Sequence, residues 1–456
     1  MPQRIIMPQR PADERNKDFL EVNDGYTREQ ALEESKRCLS CKKPMCVTGC
    51  PVEIDIPDFI KPLKEDNPAE AVKALKRKTN LPAVCGRVCP QEKQCEKYCI
   101  LGKKGESVAI GNLERYTADW AAKNLKEKTI APKSNGIKVA VIGSGPAGLT
   151  CGGDLAKLGY QVTIFESLHS SGGVLRYGIP EFRLPKAVLD AEVENLKDLG
   201  IKFFFNTLIG RTITVDDLWK DGYKAIFAGT GAGLPTFMGI EGENLKNIYS
   251  ANEFLVRVNM MKGAKFPEYD TPIYKGKNVV VIGGGNTAMD SVRTAKRLGA
   301  ASVKLVYRRT EEEMPARLEE KIHAKEEGIE FCPLTNPVKF IGDDNKFVKS
   351  MECVKMKQGE PDKSGRCRPI EIENSNFTID ADTVVLALGL NPNPIFTSLT
   401  KGLLLDEHGR IKVDENLMSS LPGVFAGGDI AGGSTVIQAM GMGKQAAKSI
   451  VNYLNK

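Results

Sequence analysis

The sequence predicts an α/β architecture: a helical, cysteine-rich N-terminal segment followed by two Rossmann-like units, the second inserted into the first. Three observations carry that expectation. One pattern occurs twice, at 138–166 and at 278–307: an apolar β-branched run, a glycine-rich turn, a helical segment and a second apolar run. Eight of the twelve cysteines fall between Cys38 and Cys99. The strand-to-turn segment at 384–394 resembles the one at 225–235 and marks the return from the insertion.

At 456 residues the chain exceeds one hydrophobic core, so two or three domains follow. A hydrophobic fraction of 41% and a net charge of +6 are ordinary for a globular protein. The basic residues are interspersed with acidic ones, so nucleic acid is not an expected partner. No apolar run approaches the roughly 20 residues of a membrane span, and the N-terminus lacks a secretion signal, which makes the cytoplasm the expected location. Three histidines argue against histidine metal sites or triads.

In chain order, residues 1 to about 17 are polar, carry three prolines and read as an extended arm. Thr27 to Arg37 reads as a helix, with Thr27 as its cap and Gln30 completing a capping box. The first cysteine block is Cys38-x2-Cys41-x4-Cys46-x3-Cys50, closed by Pro51. The second is Cys85-x3-Cys89-x5-Cys95-x3-Cys99, with Pro90 after Cys89. Ile56 to Lys78, between them, has the apolar spacing of two helices. Clustered thiols in a large chain without a secretion signal point to metal or redox chemistry and not to disulfides. Iron–sulfur clusters use closely spaced cysteine runs ending in Cys-Pro. Two four-thiolate zinc sites are the rival, but structural zinc pairs one Cys-x2-Cys with another, and only one such pair is present.

After an expected linker over 125–136, Val139–Ile142 reads as a buried parallel strand. Gly143, Gly145 and Gly148 follow as G-x-G-x-x-G, with Pro146 and Ala147 opening the helix. The first glycine allows the bend, the second lets backbone approach a pyrophosphate, and the third lets helix pack on strand. A second strand, Val162–Phe165, ends in Glu166, placed to hydrogen-bond a ribose diol. This unit suits a flavin dinucleotide or NAD. A glycine- and proline-rich loop (Gly172, Gly173 to Arg183 and Pro185) leads to a helix over about 186–199. Residues 225–231 form a strand and a turn ending at Gly231.

The second unit opens with Val279–Ile282 and the turn Gly283-x-Gly285-Asn286-Thr287-Ala288. Its second strand, Ser302 to Tyr307, ends in Arg308-Arg309 and not in an acid. Guanidinium groups pair with a 2′-phosphate that a carboxylate would repel, so NADPH is favoured over NAD here. Glu313-Met-Pro-Ala lies just beyond and is expected to line the nicotinamide approach. Near the C-terminus a strand from Val424 ends in Gly428-Asp429, followed by Thr435 and a helix from about Gln438.

The order of these motifs resembles the small (β) subunit of NADPH-dependent glutamate synthase and its relatives. The carrying motifs are the cysteine blocks, G-S-G-P-A-G, E-F-R-L-P, A-G-T-G, G-G-G-N-T-A, Y-R-R, E-M-P-A and A-G-G-D. Those relatives include the large subunit of NADH-dependent ferredoxin:NADP⁺ oxidoreductase, archaeal sulfide dehydrogenase and the N-terminal half of dihydropyrimidine dehydrogenase. The N-terminal wording (Gly25-Tyr-Thr, Ile54-Asp-Ile-Pro-Asp-Phe-Ile) looks closest to that oxidoreductase subunit and to chains called homotetrameric glutamate synthase.

The resemblance implies FAD in the first unit, NADPH in the second and two [4Fe–4S] clusters. One cluster would take Cys38, Cys41, Cys46 and Cys99. The other would take Cys50, Cys89 and Cys95, with Glu114 of Ile110-Gly-Asn-Leu-Glu114 as fourth ligand and Cys85 left out. The residues alone would make two sets of four cysteines. Expected FAD contacts are Gly143, Gly145, Pro146, Ala147, Gly148, Glu166, Gly173, Arg183, Gly231, Gly428, Asp429 and Thr435. Expected NADPH contacts are Gly283, Gly285, Asn286, Thr287, Arg308 and Arg309. No protein acid or base is expected in the hydride step. The implied domains are 1–130 (iron–sulfur), 131–250 with 385–456 (FAD) and 251–384 (NADPH). The implied activity passes electrons between NADP(H), FAD, the clusters and a partner, which is a synthase or an electron-transfer subunit. A sulfide dehydrogenase or polysulfide reductase subunit and a non-enzymatic redox-sensing module are the alternatives.

Overall fold

The computed structural model describes residues 3–125, 130–361 and 365–455, so part of the expected 125–136 linker lies outside the described residues. The N-terminal part is helical. The helix Arg28–Lys36 starts with the expected capping box, Thr27 accepting from the Gln30 amide and Gln30 returning the bond. Ile56–Lys64 and Pro68–Lys76 form the expected pair. Ile56, Phe59, Ile60 and Leu63 on the first, and Ala71, Val72, Ala74 and Leu75 on the second, are buried. Each fully buried aliphatic or aromatic side chain there contributes about 1.5–3 kcal/mol. The helices Pro82–Val88 and Ile110–Asn124 complete the bundle.

The first Rossmann-like sheet has five parallel strands in the spatial order Val424–Ala426, Tyr223–Ala228, Lys138–Ile142, Gln161–Phe165, Lys202–Phe204. The second keeps the same four-strand core, Thr383–Leu386, Asn278–Ile282, Ser302–Val306 and Glu330–Cys332. Its edge strand beside Thr383–Leu386 is Ile248–Ser250, the first of the unit in chain order where the first sheet uses its last. Lys138–Ile142 and Gln161–Phe165 in the first sheet, and Asn278–Ile282 and Thr383–Leu386 in the second, are largely buried runs, as parallel strands covered on both faces must be. An antiparallel sheet covers one face of the second unit. In it Val348–Pro361 pairs with Thr335–Gly342, Cys367–Glu371 and Phe377–Asp380.

A two-stranded ribbon, Leu234–Pro235 with Leu390–Asn391, joins the two units. Because the first sheet receives its last strand, Val424–Ala426, only after the whole second unit, the second unit is inserted in the first. Ile248–Ser250 and Thr383–Leu386 both pair inside the second sheet, outside or across the expected limits of 251–384. We therefore propose the ribbon as the border on both sides. Among the described residues no helix is long and apolar enough to cross a membrane.

The N-terminal arm is tied down more firmly than its composition suggests. It carries a helical turn, Ala12–Arg15, and the Arg15 side chain is 1% exposed against the second unit. There Arg15 Nε lies 3.1 Å from Glu327 Oε1, while Arg293 Nη2 and Arg297 Nη1 reach the same carboxylate at 2.7 and 2.6 Å. The ring of Phe182, from the first unit, lies 3.9 Å from the Arg297 guanidinium carbon.

Candidate functional site

Both glycine turns follow from close backbone approaches. Gly143 has φ +95°, and a Cβ there would meet Gly229 O at 2.4 Å; Gly283 has φ +144° and would meet Ala387 O at 2.4 Å. Gly148 sits so near the strand that a Cβ would meet Gly143 O at 2.0 Å. By contrast, an added Cβ at Gly145 or Gly285 meets nothing within 4 Å. These two positions cap the helices Pro146–Ala156 and Asn286–Arg297 without a side-chain cap. An uncapped helix start presents unpaired N–H groups and positive potential, which suits a pyrophosphate. The open backbone and the uncapped helices therefore fit a dinucleotide at each turn.

The first turn is braced by Glu166 at the end of its strand. Glu166 Oε2 accepts from Ser144 N at 2.9 Å and from Ser144 Oγ at 2.5 Å, and Oε1 accepts from Leu168 N at 2.9 Å. Gly172 N donates to Ser144 O and Oγ, and Gly173 (φ +52°) would press a Cβ to 3.0 Å from Gly145 Cα. The 172–173 loop thus roofs the turn, and it continues into a short helix, Val174–Tyr177, where a loop is expected. A Cβ added at Gly428 (φ +80°) would come within 3.2 Å of Ala147 Cβ, and burial raises the Asp429 carboxyl above its usual range. Thr435 is the N-cap of Val436–Leu454, which starts slightly earlier than expected, and accepts from Gln438 N. Gly231 has φ +70° in open space beyond the 223–228 strand.

Arg183 departs from the expected FAD contact. Its Nη1 donates to Asp290 Oδ1 and Oδ2 at 2.8 and 3.0 Å, and its Nε lies 3.1 Å from Glu320 Oε1. The guanidinium is therefore committed to carboxylates of the second unit, because the loop that bears it runs along the seam and not over the glycine turn.

In the second unit, Tyr307 occupies the place that Glu166 holds in the first. Phe165 pairs with Ile142 and Val306 with Ile282, and each is followed by one of these residues. The Tyr307 ring lies against the turn, 2.6 Å from where a Gly284 Cβ would stand. Arg308 is exposed and Arg309 half-buried just beyond. Asn286 Oδ1 accepts from Arg317 N at 2.9 Å, and Ala316 N donates to Gly284 O at 3.2 Å. Met314 to Arg317 thus pack on the turn, whereas the Glu313 carboxylate does not. It accepts from Thr310 N at 3.2 Å and from Cys367 N at 2.7 Å. Thr287 sits in the first turn of the helix behind the glycines.

The cysteines sort into two electrostatically coupled sets. Cys38 feels Cys41 and Cys99, and Cys46 feels Cys38 and Cys99. Cys50 feels Glu114 and Cys85; Cys89 and Cys95 both feel Cys50 and Glu114. Among the described residues no three of these groups converge tightly enough to ligate a single metal ion. Burial, with smaller contributions from neighbouring thiols and Glu114, pushes Cys46 up to about 11 and Cys50 to about 12.

Cys85 and Glu114 differ in how they are satisfied. Cys85, fully buried, donates to the Met440 sulfur at 3.6 Å, and the Cys89 thiol is its neighbour. Glu114 Oε1 is buried without any hydrogen-bond partner, and burial, then the Glu192 charge, pushes its carboxyl up to about 8. An orphaned buried carboxylate costs stability unless something binds it. The donor set around Glu114 thus fits a cluster that takes Cys50, Cys89, Cys95 and a carboxylate.

Glu192 is a functional candidate that the sequence reading missed. It is 6% exposed, accepts from Ala83 N at 2.8 Å and is pushed by burial to about 7. Leu189, Glu192, Val193 and Leu196 keep one helical stripe, so an acid on an apolar face was the available signal.

One helix, Val436–Leu454, forms a wall shared by the first dinucleotide turn and the second cysteine set. A Cβ at Gly443 would meet Ala147 O at 2.3 Å, and one at Gly441 would meet Pro51 O at 2.7 Å. Its Met440 touches Cys85, and its N-cap Thr435 opens beside Asp429.

Residues 15–126 match the family model "Dihydroprymidine dehydrogenase domain II, 4Fe-4S cluster", and residues 137–446 match "Pyridine nucleotide-disulphide oxidoreductase". The glutamate synthase [NADPH] small chain of Escherichia coli (strain K12) is 39% identical over 461 residues, covering 99% of this chain and 97% of that one. The NADP(+)-dependent formate dehydrogenase subunit beta of Moorella thermoacetica is 38% identical, covering 90% of this chain and 60% of its own length. The Mycobacterium tuberculosis FprA structure in complex with NADPH shares the fold at TM-score 0.59 and 20% identity, covering 70% of this chain and 85% of that one.

Proposed function

The chain belongs to the glutamate synthase small-chain family, and we propose that it is an NADPH-dependent flavin and iron–sulfur oxidoreductase subunit that serves a partner polypeptide. The supporting observation is the shared wall, Val436–Leu454, which packs on the first glycine turn's helix and on the loop after Cys50. Bound FAD would supply a group able to take one hydride, that is two electrons, and release them singly. This chain's own residues then bind and orient. The turn at Gly143, Gly145 and Gly148, braced by Glu166 and roofed by Gly173, holds the flavin's pyrophosphate with Gly428, Asp429 and Thr435. Gly283, Gly285, Asn286 and Thr287 hold the second pyrophosphate, and Arg308 with Arg309 take the 2′-phosphate. Cys38, Cys41, Cys46 and Cys99 hold one [4Fe–4S] cluster, and Cys50, Cys89, Cys95 and Glu114 hold the other. In this reading those groups act by binding and orientation, and the hydride step calls on no protein acid or base. Relatives named as a small chain or a subunit beta support a partner chain as electron donor or acceptor.

Arg308→Glu combined with Arg309→Glu tests the reading. Each charge-assisted hydrogen bond is worth about 1.5–3 kcal/mol, so losing two should raise the NADPH KM about 100-fold or more. FAD content should stay unchanged, and the wild-type protein should oxidise NADPH with an artificial acceptor. Unaltered NADPH kinetics in the double variant, or no turnover by the wild type, would contradict it.

A further inference from the structure

The Arg308–Arg309 turn is bonded to a pair of antiparallel strands that lies outside the parallel sheet of the second unit. The hairpin is made by the end of Val348–Pro361 and by Cys367–Glu371, in register at Gln358 with Pro369 and Pro361 with Cys367. Its connection to the turn runs through one carboxylate. Glu313 Oε1 accepts from Cys367 N at 2.7 Å, and Oε2 accepts from Thr310 N and Oγ1, both at 3.2 Å, and from Gln358 Nε2 at 3.3 Å. Cys367 completes the ring, because its carbonyl accepts from Arg309 Nε at 3.0 Å. The backbone of Arg309 is pinned separately, its carbonyl accepting from Leu334 N at 3.0 Å.

A guanidinium held at Nε presents its two Nη groups in one plane and one direction, which is the geometry that bidentate phosphate recognition needs. The bond to the Cys367 carbonyl narrows the rotamers the long arginine side chain samples and so the entropy it loses on binding. Four hydrogen bonds onto a single half-exposed carboxylate hold its charge form, and its pKa is lowered by the bonds from Thr310 and Cys367 against the pull of burial.

We propose that Glu313 is a positioning residue for the 2′-phosphate: through Cys367 it sets the direction of the Arg309 guanidinium and so the preference for NADPH over NADH. The hairpin is thereby a part of the nucleotide site and not a bystander. This rests on the assignment of Arg308 and Arg309 to the 2′-phosphate.

The test compares Glu313→Ala and Glu313→Gln in the full-length holoprotein, with NADPH and with NADH against one artificial acceptor. Glu313→Ala should raise the NADPH KM about five- to twentyfold, leave kcat within about twofold and leave the NADH KM unchanged. Glu313→Gln keeps an amide oxygen for Cys367 N and should recover most of the loss. Equal changes for both nucleotides, no change, or a kcat effect without a KM effect would overturn the proposal. Arg308→Glu with Arg309→Glu run in parallel separates the two failures. If that double variant also leaves NADPH kinetics intact, the phosphate assignment itself has failed; if it alone responds, only the role of Glu313 has.

Discussion

The two dinucleotide units share one blueprint and differ in how they are held. The order of four core strands, the positive-φ glycine and the carbonyl it nearly touches repeat: Gly143 against Gly229, Gly283 against Ala387. The first unit is gripped by close backbone packing, with Gly443 against Ala147 and Gly441 against Pro51. The second is gripped by charge, with Arg15, Arg293 and Arg297 around Glu327, and Arg183 across the seam to Asp290. Packing without clearance suits a site that must keep a fixed distance to the cysteine sets. The pairs that cross to the second unit, from Arg15 and Arg183, fix orientation through partners that can be exchanged. The strand ends differ as well, an acid braced by Ser144 in one and an aromatic ring followed by two arginines in the other.

The largest effect expected from breaking this comparison is at the paired glycines. Gly143→Ala forces a Cβ into a backbone carbonyl at a positive φ, and so does Gly283→Ala. The first should abolish FAD content in the purified protein, measured by flavin absorbance after denaturation. The second should leave FAD in place and abolish NADPH-driven flavin reduction. If both variants lost the same cofactor, the two-unit assignment would fail.

Next comes the contrast between Glu114 and Cys85 behind the shared wall. Glu114→Ala should remove about half of the iron and acid-labile sulfide, whereas Cys85→Ala, whose thiol already has Met440 as a partner and Cys89 as a neighbour, should retain nearly all. Loss of iron in the Cys85 variant would favour an all-cysteine arrangement.

The smallest effect is on stability, at the seam. Glu327→Ala leaves the buried Arg297 guanidinium without its carboxylate, while Arg15 keeps Glu326 and Arg293 keeps Glu320, and breaking a buried pair costs about 3–5 kcal/mol. Burial alone would raise the Glu327 carboxyl, but hydrogen bonds from Arg297 and Arg293 hold it at about 2. Its contribution is therefore present above the ordinary carboxyl pKa of 4.5 and is lost as pH falls through about 2. Acid unfolding followed by circular dichroism should show wild type and Glu327→Ala converging at low pH; parallel curves across the range would contradict the role.

The features that proved legible in the sequence are local ones. The Thr27 capping box, the glycine turns and the two helices after Ile56 are written in residues a few positions apart. The repeated strand–turn–helix order also made the insertion readable. The seam was not readable, because Arg15 and Glu327 are 312 positions apart and a basic residue in a polar arm carries no mark of burial. Arg183 and Glu313 stand in recognisable motifs, yet a motif does not state which way a side chain faces. Arg183 turned to Asp290, and Glu313 to Cys367. Glu192 was within reach, since an acid breaking an apolar stripe is visible in the sequence, but its partner Glu114 lies on a different helix.

The central claim is that one chain places a flavin between a pyridine nucleotide and iron–sulfur clusters. Anaerobic titration of the purified protein with NADPH, following flavin absorbance and low-temperature electron paramagnetic resonance together, tests it most directly. The account predicts one FAD and eight irons per chain, flavin bleaching on addition of NADPH, and the appearance of a reduced cluster signal. A colourless protein, or a flavin that bleaches while no electron reaches iron, would contradict it.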